Sequence, residues 1–274
     1  MQKEEKRKKR KLKWQIKLFL YLVLFILYCF FIGTKGIFIK EFKIETDKIS
    51  EETSGLKILQ LSDIHYGSSV NKKDLKKIVD KINLTKPDIV IFTGDLIDED
   101  KKLEKSEKDY IIKYLSKIDA TLGKYYVTGE EDKKEDEEIL NTSTFVNINE
   151  NAQIIYLSDN TPILLIGKDN SKDYLENTQN IIPDFKILAI HNPNSLDKIL
   201  DFNFDIAISG HTHNGQINIP RIKDLFIDSK YKKSYQKVND TKLFINPGIG
   251  TSKINVRLFN HPTIYLYRIN KTSK

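Results

Sequence analysis

LKILQLSDIHYG, residues 56–67, is an apolar run of strand length that breaks off at Asp63 and His65. The same form recurs in DIVIFTG (88–94), KYYVTG (124–129), ILLIG (163–167), KILAIH (186–191), DIAISG (205–210) and KLFINPG (242–248). Runs this continuously apolar read as strands covered on both faces rather than half-exposed ones. Between them, KKDLKKIVDKINL (72–84) and KSEKDYIIKYLSKI (105–118) carry apolar residues three and four apart, the helical period. The alternation predicts an α/β fold with mixed sheets sandwiched between helices. No internal repeat is evident, and KDNSKDYLENTQN (168–180) reads as a solvated connection.

The strand ends carry the chemistry. LKILQL ends at Asp63 and His65, DIVIFTG at Asp95 and Asp98, KILAI at His191, and DIAISG at His211 and His213. Ligands of open α/β sheets collect at the carboxyl ends of strands, so these side chains are expected to converge. One histidine at a strand end is usually structural. Four of the five in this chain, mixed with aspartates, point to a site. In Asp63-Ile64-His65 and His211-Thr212-His213 an extended backbone would turn both outer side chains one way and the middle one into the protein. Imidazoles and carboxylates without thiolates suit Mn, Fe or Zn, and one carboxylate, Asp95, is placed to bridge two such ions. Gly94 and Gly210, just before Asp95 and His211, permit sharp turns or close backbone approach. His261, in FNHPT, is expected to be a structural or surface histidine, and Asn192 and Asn214 adjoin the ligand candidates.

Eight Lys or Arg and two Glu in residues 1–13 account for nearly all of the formal charge of +7. The body is therefore almost neutral, which argues against a nucleic-acid partner, since phosphate binding needs a basic face on the folded domain. LFLYLVLFILYCFFI, residues 18–32, has no charged side chain and extends through Trp14, Ile16 and Gly33. With snorkelling lysines this is enough to span a bilayer. It remains bulky and aromatic to its end without a small-residue cleavage site, so an uncleaved anchor is expected rather than a signal peptide. The expected organisation is a basic cytoplasmic tail (1–13), a transmembrane anchor (14–33), a linker or first strand (34–50) and one domain (51–274). The positive-inside rule puts the N-terminus in the cytoplasm and the domain outside it, in the cell membrane. A monomer is expected. Cys29 is the only cysteine, which excludes an intrachain disulfide and a thiolate metal cage.

SDIHYG, TGDLID, VTGEED, LAIHNP and SGHTHNGQ, taken in this order, resemble the motifs of the calcineurin-like metallophosphoesterases. NPGIGTSKINVRLFNHPTIYLYRI (246–269) is similar to the C-terminal strands of the membrane-associated, YkuE-like branch. The resemblance covers almost everything after residue 50. It implies a four-layer α/β/β/α sandwich with a site for two divalent metal ions along the edges of two sheets. The first ion would be held by Asp63, His65, Asp95 and His213, the second by Asp95, His191, His211 and one further residue.

That residue falls in Gly129-Glu130-Glu131-Asp132, where the family normally reads GNHD. Glu130 can ligate a hard or borderline cation through oxygen in place of the asparagine. Glu131 stands where the family has a histidine that meets the phosphate or protonates the leaving group. A carboxylate cannot supply that positive charge, and it serves as an acid only if desolvation raises its pKa. The resemblance implies hydrolysis of a phosphodiester, phosphomonoester or pyrophosphate bond by a metal-bridging hydroxide, with Asp95, His191 and Glu131 as candidate catalytic residues. A lipid-linked pyrophosphate substrate, of the UDP-diacylglucosamine type, and a catalytically impaired metal-binding homologue are the alternatives.

Overall fold

The two periodicities in the sequence become two kinds of layer in the computed structural model, which describes residues 2–149, 152–167, 183–225 and 227–272. The stretch 168–180 lies outside the described residues. The chain opens with helix α1 (Gln2–Leu27), continued by one π-helical turn over Tyr28–Ile32. This is the one helix among the described residues long and apolar enough to cross a membrane.

The first sheet is built from β1 (Phe38–Thr46), β2 (Leu56–Leu61), β3 (Ile89–Phe92), β4 (Lys124–Tyr126), β5 (Val146–Asn147) and the C-terminal β12 (Thr263–Lys271), in the order β1-β12-β2-β3-β4-β5. The second comprises β6 (Gln153–Tyr156), β7 (Pro162–Ile166), β8 (Phe185–Ala189), β9 (Ile206–Ser209), β10 (Tyr235–Val238) and β11 (Thr241–Ile245), in the order β10-β11-β9-β8-β7-β6. Strands β2 to β5 run parallel, as do β7, β8, β9 and β11. β12 enters antiparallel to β2 and pairs with β1 in parallel.

Helices α2 (Lys72–Thr85), α3 (Lys105–Leu115) and α4 (Lys134–Thr142) cover the first sheet. α2 forms where the sequence pattern places it because its buried face, Leu75, Ile78, Val79 and Ile82, follows the helical period. Its first turn is capped by Asn71, whose Oδ1 accepts from the backbone N–H of Lys73 and Asp74 at 2.9 and 3.2 Å. Three apolar layers result. Leu59, Leu61, Val90 and Phe92 pack under the helices. Ile58, Ile89 and Ile91 meet Ile187, Ile206 and Ile208 between the sheets. Leu188, Ala207 and Leu243 pack under the 3₁₀ segment Pro193–Phe202. Successive residues of each strand thus enter different apolar layers, which is why these strands do not alternate with polar residues.

One polar cross-link interrupts the inter-sheet layer. Gln60 on β2 is fully buried; its Nε2 donates to Thr93 Oγ1 at 3.0 Å and to the Ser209 carbonyl on β9 at 2.9 Å. Tyr267 on β12 donates its hydroxyl to Gln60 Oε1 at 2.6 Å. Replacement by Leu strands the buried Tyr267 hydroxyl, worth about 1–3 kcal/mol unpaired, while the Ser209 carbonyl still accepts from Asn246 N at 2.8 Å. We expect Gln60→Leu to lower the denaturation midpoint by that order with an unchanged denaturant slope, measured by chemical unfolding of the full chain in detergent.

Candidate metal centre

The loops leaving the carboxyl ends of the central parallel strands meet along one edge of the two sheets. β2 delivers Asp63 and His65, β3 delivers Asp95, and the loop after β4 delivers Glu130, Glu131 and Asp132. β8 delivers His191, and β9 delivers His211 and His213. The extended backbone expected for the two spaced pairs is not what forms. Asp63, His65, Asp95, His211 and His213 all adopt left-handed conformations, with φ of 49°, 43°, 62°, 67° and 48°. Each such residue costs about 1–3 kcal/mol and persists only where its surroundings over-determine it.

Here they do, because the loops hydrogen-bond to one another instead of continuing the sheets. Asp63 N donates to the Gly94 carbonyl at 2.9 Å, Ile64 N and His65 N share the Asp95 carbonyl, and Gly250 N donates to the Asp63 carbonyl at 2.7 Å. Ile64 turns into the core as expected, but Thr212 stays half-exposed on the cleft wall. Gly210 is required by crowding: a Cβ there would lie 2.0 Å from Ser62 Oγ and 2.3 Å from Asp63 Oδ2.

Six side chains form three overlapping ligand groups: Asp63, His65 and His213; Asp63, Asp95 and His191; and His65, Asp95 and Glu131, with ligand atoms within 4.8 Å of one another in each. His191 Nε2 lies 3.1 Å from Asp95 Oδ2, His213 Nε2 lies 3.7 Å from Asp63 Oδ1, and His65 sits between Asp95 at 3.9 Å and Glu131 at 3.2 Å. His211 and Glu130 are further out. The His211 ring packs edge-on against His191 with centroids 5.1 Å apart. The Glu130 side chain is 60% exposed, with Oε2 at 3.9 Å from His211 Nδ1 and Oε1 accepting from Asn192 Nδ2 at 3.0 Å.

A cation fits this donor set. His65 is fully buried, yet neither its ring nitrogens nor His191 Nε2 makes a well-aligned hydrogen bond, although carboxylate oxygens of Glu131 and Asp95 lie 3.2 and 3.1 Å away. Buried polar atoms are normally paired, so orphaned imidazole nitrogens facing carboxylates mark a place for a metal ion. The Nδ1 of His191 is already engaged, 2.6 Å from the Thr93 carbonyl, which leaves Nε2 for the site.

The electrostatics agree. Burial works against charge on His191, but the Asp95 carboxylate and the field of Asp63 outweigh it and push its imidazole up to about 10. Burial raises the Asp63 carboxyl, with nearby Asp95 adding to it, whereas His191 and His65 hold Asp95 below the usual range against burial. The His65 ring likewise holds Glu131 low.

Several participants carry no obvious mark in the sequence. Asp132 accepts from Asp95 N, Leu96 N and Gly129 N at 2.9, 2.8 and 2.7 Å, fixing the loop that presents Asp95. The only signal for it is its place as the last residue of the GEED motif. Arg257 is fully buried; its Nη2 donates to the Pro247 carbonyl at 2.7 Å and reaches His213 Nδ1 at 3.4 Å. Asn260 donates to the carbonyls of His213 and Gly215, both at 2.7 Å. His261 packs against Phe38, ring centroids 4.8 Å apart. Asn192 caps the 3₁₀ segment through Asn194 N, and Asn214 is buried with an unpartnered Oδ1.

The model of the calcineurin-like phosphoesterase family matches residues 56–215, the span that holds all of these ligand candidates. The chain belongs to that family and is a phosphoesterase hydrolase. It is similar to the metallophosphoesterase YkuE of Bacillus subtilis, 29% identical over 248 residues that cover 85% of each chain. A transmembrane protein with a metallophosphoesterase domain from Danio rerio is 26% identical over 243 residues, covering 81% of this chain and 55% of the relative. The chain thus spans only about half the length of that relative.

With its pKa near 10, His191 carries a proton at neutral pH that a metal ion must displace. Calorimetric titration of Mn²⁺ in buffers of different ionisation enthalpy is expected to show release of at least about one proton per chain at neutral pH, with affinity rising as pH rises toward 10. Binding without proton release would mean that His191 is not a ligand.

Proposed function

We propose that the chain hydrolyses a phosphodiester, phosphomonoester or pyrophosphate bond using two divalent cations of the Mn, Fe or Zn kind. Asp63, His65, Asp95 and His213 would hold one, and Asp95, His191, His211 and Glu130 the other. The observation that carries this reading is the set of buried, unpartnered nitrogens of His65 and His191 facing Asp63 and Asp95. Such a cation pair supplies Lewis acidity toward phosphoryl oxygens and lowers the pKa of water toward neutrality.

The protein's own groups do the positioning. Asp132 fixes the Asp95 loop through three backbone N–H groups, and Thr93 sets the orientation of the His191 ring. The ligand candidates His211 and Glu130 line a cleft of about 1050 Å³ together with Glu131 and Ser252. Ser252 Oγ donates to Glu131 Oε1 at 3.3 Å and His65 faces its other oxygen, so this carboxylate points into the site. Because His65 holds it ionised at neutral pH, Glu131 suits an added ligand of the first cation better than a proton donor.

That same negative charge favours a second reading, a homologue that holds metal with little turnover, since an ionised carboxylate repels a phosphate. Two variants separate them. Glu131→Gln is expected to weaken Mn²⁺ binding on the order of tenfold. Glu131→His is expected to raise turnover of a chromogenic phosphodiester by about 10²-fold by restoring an acidic imidazole. Wild-type and Glu131→His proteins that both bind Mn²⁺ but cleave neither diester nor monoester would support the second reading.

We also propose that the N-terminal helix anchors the enzyme in the cell membrane with residues 1–13 in the cytoplasm and the domain outside it. The basic tail, the apolar helix Glu4–Ile32 and the relatives named as transmembrane proteins support this. Protease added to spheroplasts is expected to digest the domain while a cytoplasmic marker survives. Protection of both would reverse the orientation.

A further inference from the structure

Cys29 lies inside the apolar stretch, yet it is buried, and what covers it is the domain itself. Arg257 N donates to the Cys29 carbonyl at 3.2 Å. Gly33 approaches the Arg257 carbonyl so closely that a Cβ there would lie 2.1 Å from it. Cys29 precedes Ile32, the last residue of the helix, by three residues, roughly 4 Å along the axis. If the helix spans a bilayer, as proposed above, the segment around Arg257 reaches the depth of its last turn.

The neighbours of Arg257 have the side chains such a location requires. Ile254 and Phe259 are 64% and 63% exposed, and Phe259 is held in a left-handed conformation with φ 55°. The 217–225 loop is tied to this segment: Asn218 N donates to the Leu258 carbonyl at 2.8 Å, Leu258 N to the Gln216 carbonyl at 2.9 Å, and Asn218 Nδ2 to the Phe259 carbonyl at 3.2 Å. It presents Leu225, 81% exposed, together with exposed Ile222. Arg221 and Lys253 stand exposed among these apolar tips, with Asp224 as the one acidic neighbour in the two loops. The adjoining end of the helix exposes Phe30, Phe31 and Ile32, so the apolar surface continues from helix to loops. Exposed apolar side chains interleaved with cations are the composition of interfacial segments, which bury roughly 5–10 Å into the boundary between headgroups and acyl chains.

We propose that the tips of the 217–225 and 252–259 loops dock into the headgroup region of the bilayer that holds the N-terminal helix. Ile217, Ser252, Ile254 and Val256 of these loops also line the cleft, so the active-site mouth opens at the membrane surface. This rests on the membrane anchoring proposed above, and the test separates the two.

Trp14 is the only tryptophan of the chain and reports the anchor by itself. The full chain is reconstituted in phosphatidylcholine and phosphatidylglycerol vesicles whose acyl chains carry bromine near the headgroups. Leu225→Trp and Ile254→Trp, each in a Trp14→Phe background, report the loop tips. Leu84→Trp, in the same Trp14→Phe background and at an 82% exposed position of α2, is the control. Bromine is expected to quench Trp14 and to remove roughly half the fluorescence of both tip indoles, as for side chains a few ångströms inside the interface, and to leave the control unchanged. Quenched Trp14 with unquenched, water-accessible tips would overturn the docking but not the anchoring. Tips shielded from aqueous acrylamide without bromine quenching would mean that a protein covers them, and would also overturn it. Unquenched Trp14 would remove the anchoring and the docking together.

Discussion

The side-chain amide of Gln60 holds this structure together where it matters most. Strands β2 and β9 belong to different sheets, and the apolar layer between them is non-directional: isoleucines on both sides would tolerate sliding by a fraction of a residue. The amide does not tolerate it, because its donors must reach Thr93 and Ser209 while its oxygen accepts from Tyr267. Strands β2, β9 and β12 and the residue just after β3 are registered by one buried group one residue before the end of β2. The convergence of Asp63 with His211 and His213 depends on that register.

Beyond the cross-link, the loops carry two costs at once. Five ligand candidates sit in left-handed backbone, and two carboxylates are buried beside each other. Neither would persist in an isolated loop. The first is offset by loop-to-loop hydrogen bonds such as Gly250 N to the Asp63 carbonyl and Glu131 N to Asp95 Oδ1 at 3.1 Å. The second is relieved by imidazoles held at 3.1 to 3.9 Å from the carboxylates, and by a cation when one binds. Strain and unpaired polar atoms fall together at the candidate metal centre because backbone that is free to relax cannot hold ligands in place.

The GEED turn puts its three carboxylates in three different surroundings. Carboxylates after a strand look like a solvated turn, and Glu130 is indeed exposed. Asp132, two residues on, is half-buried and accepts from three backbone donors, while Glu131 reaches His65. The same acidity hid α4. Its first turn carries Glu135, Asp136 and Glu137, which favour a helix N-terminus, yet only Ile139 and Leu140 mark an apolar face. Over nine residues that is too short a repeat to stand out from a charged loop.

The sequence by itself determined the α/β class, the central strands, helices α2 and α3, and the convergence of Asp63, His65, Asp95, His191, His211 and His213 at strand ends. Those features follow from local period and residue type, which each segment carries alone. Tertiary structure decided the rest: β12 inserted between β1 and β2, Arg257 buried against His213, the left-handed turns in place of extended pairs, and the contact of Arg257 with Cys29 inside the apolar helix. Each of these joins residues distant in the chain. A hydrogen bond whose partner lies two hundred residues away leaves no periodicity in either segment, so only the folded chain reveals it.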